Sequence, residues 1–302
     1  MRKNFPVLLS AILLSACLSI SGCGKQSPSH SDKLRVVTSI TVLEDFVRAV
    51  GGDQVSVTSL ITGLENPHTY EPKVSAVRAV AEADLFVKVG LGIEEWAEKL
   101  VANAGNEKLV ALTATEGIAV LERGINGGGG NPHVWMDPRN AGVMVGHIRD
   151  ALCKLRPESS KTFESRTEAY LAEMDSLRIE IGSRFPSLVG RKVVTYAPAF
   201  PYLLQWLGVS EAERIMTVPG MEPSARRISE VIDRMRTEQI GVILTMPQYS
   251  GKVPEMIAAE TGARIVRITP LLGALPGTAT YLAMLRTNAE HIALALQAKS
   301  CR

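Results

Sequence analysis

The chain has 302 residues, an apolar fraction of 46% and a formal net charge of +2 at pH 7. This length allows two lobes of ordinary domain size, and the apolar fraction is typical of a globular protein with a packed core. Two positive charges lie within the first three residues, so the chain from residue 23 onward carries +2 − 2 = 0. Without a basic surplus, the chain is not expected to bind nucleic acid.

The first 22 residues have the features of a signal peptide. A short positive segment precedes an apolar stretch, residues 6–20, which is too short to span a bilayer comfortably. Small residues then precede Cys23 in the sequence ISGC, the pattern that a lipoprotein signal peptidase accepts before the cysteine thiol is lipidated. Cys17 ends a similar sequence, LSAC, but Cys23 leaves a fuller apolar segment and is the preferred lipid attachment site. An uncleaved membrane anchor is the alternative.

Residues 23–32 are polar and rich in serine, and they predict a lipidated, flexible tether. The protein is therefore expected in the cell envelope, lipid-anchored on the extracytoplasmic (periplasmic) side of the membrane. An oxidising compartment would permit a disulfide between Cys153 and Cys301, and two separate thiols are the equally open alternative.

From residue 33 onward, strand-like and helix-like patterns alternate. Apolar runs rich in β-branched residues predict strands at 34–38, 55–60, 85–89 and 109–112. Helical patterns fall between or beside these runs, for example at 42–50, 74–81 and 94–102. This alternation predicts βαβ units and a mostly parallel sheet, so residues 33–157 are interpreted as an N-terminal α/β lobe.

The same alternation returns in residues 186–302, which are interpreted as a C-terminal α/β lobe. Strands are predicted at 192–196, 214–217, 242–244 and 265–268. Helices are predicted at 200–207, 224–236, 252–261 and 280–298.

Between the lobes, residues 158–185 form a polar segment with an apolar stripe. The stripe falls on one helical face and consists of Phe163, Tyr170, Leu171, Met174, Leu177 and Ile181. A helix of this length is ~40 Å long, so it is predicted to be a rigid connection rather than an ordinary surface helix. The predicted fold class is α/β, with two lobes joined by this helix, each lobe having a mostly parallel four-stranded sheet flanked by helices. Ligands of parallel sheets bind beyond the carboxyl ends of the strands, so the site is expected in the cleft between the lobes.

Two of the five histidines, His68 and His133, lie in loops that face this expected cleft. Each follows a proline, which fixes the local backbone and helps to aim the ring. Neutral imidazole is a common ligand of zinc and related metals, so the pair is a candidate metal site. The remaining histidines lie in the tether or in helices and are interpreted as ordinary: His30, His147 and His291.

A carboxylate follows each candidate ligand, Glu71 after His68 and Asp137 after His133. Such a carboxylate can hydrogen-bond a ligating imidazole and orient it. Asp137 also immediately precedes a predicted helix, and capping that helix is the favoured alternative.

From about residue 34 to residue 298, the chain resembles the zinc and manganese solute-binding proteins of ABC importers. The matching segments are NPHTYEP at 66–72, EADLFVKVGLGIEEW at 82–96, NPHVWMDP at 131–138, EPSARRISEVID at 222–233, PQYSGKVPEMIAAETGARIV at 247–266 and YLAMLRTNAEHI at 281–292. The resemblance implies two α/β lobes joined by a long helix, and it places the first two metal ligands of the family at His68 and His133.

The chain departs from the ligand pattern that the resemblance implies. The third and fourth ligands of the family would fall at Ala197 and Thr269, and neither side chain is a normal ligand of a tight site. A histidine-rich loop common in zinc-specialised members is replaced by the glycine-rich residues 124–130. Water, a small chelating anion or a further side chain would have to complete the shell, the side-chain candidates being Glu222, Met221 and Met246.

The resemblance implies an extracytoplasmic receptor, without catalytic residues or an organic cofactor, that delivers a divalent transition metal to the membrane permease of an ABC importer. Two histidines favour zinc over manganese, which prefers oxygen ligands; iron is a further option. The alternative is a receptor of the same fold for a metal chelate or another small solute, in which binding of the free metal is weakened or lost. A zinc hydrolase is disfavoured because such enzymes need three protein ligands and a general base. The receptor is expected to be a monomer.

Overall fold

The computed structural model describes residues 33–123, 129–218 and 220–297. The predicted signal peptide, Cys23, the tether, most of the glycine-rich loop and Cys301 lie outside the described residues. Within the described ranges, no helix has the length and apolar character needed to cross a membrane.

The first sheet contains four parallel strands in the order β2-β1-β3-β4. Their bounds are β1 (Leu34–Thr38), β2 (Val55–Ser59), β3 (Leu85–Lys88) and β4 (Val110–Thr113). The strands alternate with three helices, α1 (Thr41–Gly51), α2 (Val74–Ala81) and α3 (Trp96–Ala104). One face of α1 is buried because its apolar residues recur at helical spacing; they are Val42, Leu43, Phe46, Val47 and Val50.

Two helices continue the chain from the first sheet towards the second. They are α4 (Pro138–Leu155) and α5 (Ser160–Arg184), with a short 3₁₀ turn at Pro157–Ser159 between them. The 25 residues of α5 confirm the predicted long helix. Most of its predicted stripe is buried, namely Phe163, Met174, Leu177 and Ile181.

The second sheet repeats the first in the order β6-β5-β7-β8, again with all strands parallel. Its strands are β5 (Lys192–Thr195), β6 (Ser210–Arg214), β7 (Val242–Thr245) and β8 (Arg264–Arg267). The remaining helices are α6 (Pro201–Leu207), α7 (Ala225–Thr237), α8 (Lys252–Thr261) and α9 (Tyr281–Gln297). The predicted α/β fold class with two four-stranded sheets is confirmed.

One strand prediction was wrong. The sequence pattern placed a strand at 214–217, whereas β6 occupies Ser210–Arg214 with the sequence SEAER. β6 is an edge strand, so polar side chains are tolerated along it and its apolar signal is weak. The apolar residues that suggested the later position, Ile215 and Met216, are buried just beyond the strand.

Asp45 ties the two halves and the long helix together. This α1 carboxylate accepts a hydrogen bond from the hydroxyl of Tyr170 on α5 at 2.9 Å. It also accepts one from the backbone N–H of Tyr281, the first residue of α9, at 3.0 Å. Burial raises the pKa of Asp45, and the two donors oppose that shift. The carboxyl ends of both sheets are thereby held within one compact unit that begins at Lys33.

Candidate metal centre

A small cavity lies where loops from both halves of the molecule meet. Its volume is about 10 Å³, close to the minimum that accommodates one water-sized particle. The residues that line it are Asn66, Pro67, His68, His133, Trp135, Ala197, Pro198, Ala199, Met246, Tyr249, Pro270 and Leu271. Both histidines singled out from the sequence therefore face the same cavity.

The loop after β2 brings His68 to the cavity. The side-chain oxygen of Asn66 accepts a hydrogen bond from the backbone N–H of His68 at 3.0 Å, which closes a tight turn around Pro67. The indole N–H of Trp96 donates to the carbonyl of Pro67 at 2.8 Å. The loop also contacts the second half, because the side-chain amide of Gln248 donates to the carbonyl of Gly63.

His133 is held by a turn of the same kind. The side-chain oxygen of Asn131 accepts from the backbone N–H of His133 at 3.1 Å and also lies 3.1 Å from its ring Nδ1. The amide nitrogen of Asn131 donates to Glu122 and to the carbonyl of Pro198, so the oxygen is the atom that faces the ring. Since that oxygen accepts only, Nδ1 carries the proton and the lone pair lies on Nε2.

The two imidazoles lie together with their ring centroids 5.5 Å apart. The Nε2 atom of His68 is buried and has no hydrogen-bond partner among the described residues. Burial lowers the pKa of His68 to about 4. Burial also lowers the pKa of His133 well below its usual range, with smaller contributions from the positive charges of His68 and Arg214. Both rings are therefore neutral at pH 7, the state in which imidazole binds metals.

The remainder of the cavity is mostly apolar. Within the ranges that the structure describes, no group of three or more His, Cys, Asp or Glu side chains could hold a metal ion. The indole N–H of Trp135 is engaged with the carbonyl of Pro270 at 2.8 Å. The hydroxyl of Tyr249 accepts from the amide of Asn66 at 3.3 Å. Two imidazoles thus form the nitrogen donor set of the cavity.

The two carboxylates proposed to orient the rings lie elsewhere. Asp137 instead caps α4, accepting from the backbone N–H of Arg139 at 2.9 Å and from its guanidinium at 2.8 Å. Glu71 is exposed to solvent. At His133, the position expected for a carboxylate is occupied by Asn131, which makes the contact with Nδ1.

The two positions expected to carry further ligands differ in placement. Ala197 follows β5, is buried and lines the cavity, which is where the family resemblance places the third ligand. Thr269 is buried but is not among the lining residues, because its hydroxyl forms a turn with the backbone of Leu271, donating to its carbonyl at 2.9 Å. Of the side chains considered as replacements, Met246 lines the cavity, whereas Met221 and Glu222 are exposed.

The other histidines and the described cysteine lie outside the cavity. The Nδ1 atom of His147 is 2.9 Å from the carbonyl of Ala114. The Nδ1 atom of His291 is 3.0 Å from the carbonyl of Arg267. Cys153 is half-buried and forms no disulfide with another cysteine of the described residues, which do not include Cys301.

Two functional residues, Asn66 and Asn131, were not identified from the sequence. Each stands two positions before a candidate ligand and accepts a hydrogen bond from the backbone N–H of that histidine. The signal was present, because the tripeptide Asn-Pro-His occurs twice, at 66–68 and 131–133. Asparagine before proline favours turns, and its side chain hydrogen-bonds its own backbone two residues on.

An ionic network supports Asn131 from the second half. Glu122 accepts from the Asn131 amide at 3.0 Å and from the guanidinium of Arg214 at 2.6 Å. Arg214 is paired in turn with Glu211 at 2.5 Å. The bonds from Arg214 and Asn131 hold the pKa of Glu122 below its usual value, against the effect of burial. The position of the His133 loop therefore depends on residues at the end of β6.

Comparison with solved structures gives close matches to the whole fold. A crystal structure of ZnuA matches with a TM-score of 0.79 and 32% identity, covering 88% of this chain and 100% of that chain. A ZnuA deletion mutant with zinc bound matches with a TM-score of 0.80 and 31% identity, covering 89% and 100% of the two chains.

Sequence comparison identifies relatives and a family. The zinc-binding lipoprotein AdcA of Streptococcus pneumoniae is 29% identical over 276 residues, which are 87% of this chain but 55% of AdcA. This chain thus spans about half the length of that relative. The iron-binding protein YfeA of Yersinia pestis is 26% identical over 303 residues, 97% of each chain. The family model described as zinc-uptake complex component A periplasmic matches residues 36–295. Because this match covers most of the 302 residues, the chain belongs to that family.

Proposed function

We propose that this protein is an extracytoplasmic receptor that captures a divalent transition-metal ion, zinc foremost, and delivers it to an ABC importer. The observation that carries the proposal is the pair of neutral imidazoles in one cavity, one of them with a buried, unpartnered Nε2 among the described residues. An unpaired buried nitrogen is costly, and a bound metal ion would satisfy it.

The relatives support a metal as cargo. The curated names describe AdcA as zinc-binding and YfeA as iron-binding, and a protein of Halalkalibacterium halodurans, 27% identical over 292 residues, as a manganese-binding lipoprotein. These three names specify different metals, so the choice of metal in this chain has to be argued from its own cavity.

The cavity favours a bare ion over a metal chelate. A volume of about 10 Å³ has room for one small particle between the side chains, and a chelate would require the loops to move apart.

The site also favours binding of a metal ion as cargo over its use as the cofactor of a hydrolase. In the described chain, no third His, Cys, Asp or Glu joins the two rings, whereas hydrolytic zinc sites use three protein ligands and a positioned base.

The proposal extends to the anchor and the partner. Cys23 is the proposed lipid attachment site, which would hold the receptor at the membrane beside the permease. The protein would act as a monomer, because one chain supplies both proposed ligands, His68 and His133.

Metal titration of the metal-free protein tests the proposal. We expect one zinc ion to bind per chain in calorimetry, and zinc to be found by elemental analysis of the protein as purified. His68→Ala and His133→Ala should each weaken zinc binding by about a hundredfold or more, because one remaining imidazole binds little better than a surface histidine. His147→Ala is the matched control and should retain the wild-type affinity. Unchanged affinity in both cavity variants would place the metal site elsewhere.

A further inference from the structure

Met246 brings a thioether side chain, a potential metal donor, into the lining of the cavity. It directly follows β7, so it lies at the carboxyl end of a central strand, where ligands of parallel sheets bind. The residue is 6% exposed and shares the cavity lining with His68 and His133. A thioether sulfur makes no strong hydrogen bond that would compete for it.

The other polar side chains of the lining are already engaged or unsuitable. The Trp135 indole donates to a backbone carbonyl, and the Asn66 oxygen accepts from the backbone N–H of His68. Burial raises the pKa of the Tyr249 hydroxyl, which stays protonated and is a poor ligand. The side-chain donor set available to an ion is therefore two imidazole nitrogens and one sulfur, all of them neutral.

The charge around the cavity disfavours a highly charged ion. Its lining residues include no Asp or Glu. The guanidinium of Arg214 acts on His133 with a positive charge, and the two carboxylates that pair with it, Glu122 and Glu211, are not among the lining residues. The cost of moving an ion out of water rises with the square of its charge, so a dication here loses much hydration and gains no anionic partner. A monovalent ion avoids most of that cost.

The donor types point to the same class of ion. Thioether and thiolate ligands select soft ions, Cu(I) in particular, whereas oxygen-rich sites suit manganese. Zinc in closed sites takes four ligands, usually with thiolate or carboxylate among them. Three neutral donors, two nitrogens and one sulfur, match a soft monovalent ion better than they match zinc or manganese.

We propose that Met246 Sδ is a metal ligand together with His68 and His133, and that this cavity binds Cu(I) more tightly than Zn(II) and Zn(II) more tightly than Mn(II). The inference rests on the proposed function in one respect, namely that the cavity holds a transition-metal ion, and it goes beyond that function by naming a soft monovalent ion, in place of zinc, as the one bound most tightly. Cu(I) binds as such, without a redox step.

Competition titrations under anaerobic conditions test the inference. The full chain is used with its four cysteines replaced by serine, because free thiols also bind Cu(I). Cu(I) affinity is measured against a chromophoric Cu(I) chelator, and Zn(II) and Mn(II) affinities against a fluorescent chelator. Met246→Leu removes the sulfur at nearly constant volume. Met235→Leu, at a methionine of α7 that is 1% exposed and is not among the cavity-lining residues, is the matched control.

We expect Met246→Leu to weaken Cu(I) binding at least tenfold and Zn(II) binding less than threefold, and Met235→Leu to change neither. X-ray absorption of the Cu(I) form should show a sulfur neighbour that disappears in Met246→Leu. Tighter binding of Zn(II) than of Cu(I), or a Cu(I) affinity unchanged by Met246→Leu, would overturn the inference. If Zn(II) still binds and is lost in His68→Ala, the proposed function survives that failure; if no ion binds to the wild-type cavity, both fall.

Discussion

At the scale of single residues, the site consists of one local design used twice. In each of two loops, an asparagine side chain accepts the backbone N–H of the histidine two positions later, with a proline between them. The turn restricts the backbone before the ring is placed, so the direction of each imidazole is set locally. Tertiary structure then adds what the tripeptide alone lacks, namely the burial that keeps both rings neutral.

The low pKa of His68 predicts how stability should depend on pH. Burial lowers the pKa to about 4 in the folded protein, against about 6.5 for imidazole in an unfolded chain. Between these values the unfolded state binds more protons, so the stability that this group contributes is complete above pH 6.5 and is lost as the pH falls towards 4. The loss approaches about 1.4 kcal/mol per pH unit at most.

Urea unfolding of the metal-free protein from pH 4.5 to 7.5, compared with the variant His68→Gln, isolates this contribution. The difference in free energy of unfolding between wild type and variant should shift in favour of wild type as the pH rises, because glutamine does not titrate. Carboxylates contribute alike to both proteins and cancel in the comparison. Parallel curves would mean that His68 is as accessible to protons in the folded state as in the unfolded chain.

The sequence predicted which residues would meet in the cavity but not how they are held. His68 and His133 were expected at one cleft because strand ends and proline-containing loops are readable from local patterns, and both line the same cavity; their role as metal ligands stays a prediction. The turn between Asn131 and His133 is local and was present in the repeated tripeptide, whereas the bonds from Asn131 to Glu122 and to Pro198 form only in the folded chain and could not be predicted. The engagement of Asp137 with Arg139 is local, and helix capping was therefore the better reading of that residue.

At the scale of elements, Glu94 fixes the carboxyl ends of β1 and β3 beside the His68 loop. Its carboxylate accepts from the hydroxyl of Ser39 at 2.6 Å and from the backbone N–H groups of Val89 at 2.7 Å and Gly90 at 2.9 Å. Ser39 follows β1, and the other two residues follow β3. Gly90 has φ of 89°, a conformation that other residues rarely adopt. The carboxylate thus orders two strand ends at once.

Replacing this carboxylate should destabilise the first sheet. Glu94→Ala leaves a hydroxyl and two backbone N–H groups without their acceptor in a buried site, so we expect a loss of roughly 3 kcal/mol in the free energy of unfolding, measured by urea denaturation. Glu95→Ala, at the exposed neighbouring position, should stay within about 0.5 kcal/mol of wild type. Equal effects of the two substitutions would show that solvent can replace the Glu94 bonds.

Strands in the centre of each sheet, which are buried on both faces, were predictable from the sequence, whereas strands at the sheet edges were less so. The central strands β1, β5 and β7 are rich in buried valine, leucine and isoleucine, so their apolar runs identified them. The edge strand β6 reads SEAER, and its pattern of charged residues resembles that of a loop or a surface helix. The conformation of β6 is decided by its pairing with β5, and the local sequence of β6 does not reveal that neighbouring strand.

At the scale of the whole molecule, many links between the halves run from a side chain to a backbone group. The hydroxyl of Tyr202, on α6, donates to the carbonyl of Asn131 and accepts from the backbone N–H of Leu121, both at 2.8 Å. The hydroxyl of Tyr281 donates to the carbonyl of Trp135 at 2.6 Å. Together with α5, these links hold the His133 loop against the second half.

The proposed lipid anchor at Cys23 supplies a prediction at the same scale. Cys23→Ala should release the protein from the membrane fraction into the soluble fraction, because on this proposal the lipid is attached to that thiol. Cell fractionation with an antibody against the protein measures the distribution. Cys17→Ala serves as the control and should leave the protein in the membrane fraction; the reverse pattern would assign the lipid to Cys17.

The Nε2 atom of His68, which has no hydrogen-bond partner among the described residues, has a consequence for how long each copy of the protein persists. An ion that binds the folded state, and not the unfolded state, stabilises the protein by RT ln(1 + [L]/Kd), which reaches about 2.7 kcal/mol at a hundred times Kd. Within the part of the chain that the structure describes, no group satisfies this buried nitrogen, so a bound ion would add an interaction that the protein itself does not supply. Envelope proteases that attack opened chains would then remove empty copies faster than loaded ones. The abundance of the receptor would follow the supply of its cargo, without any change in gene expression.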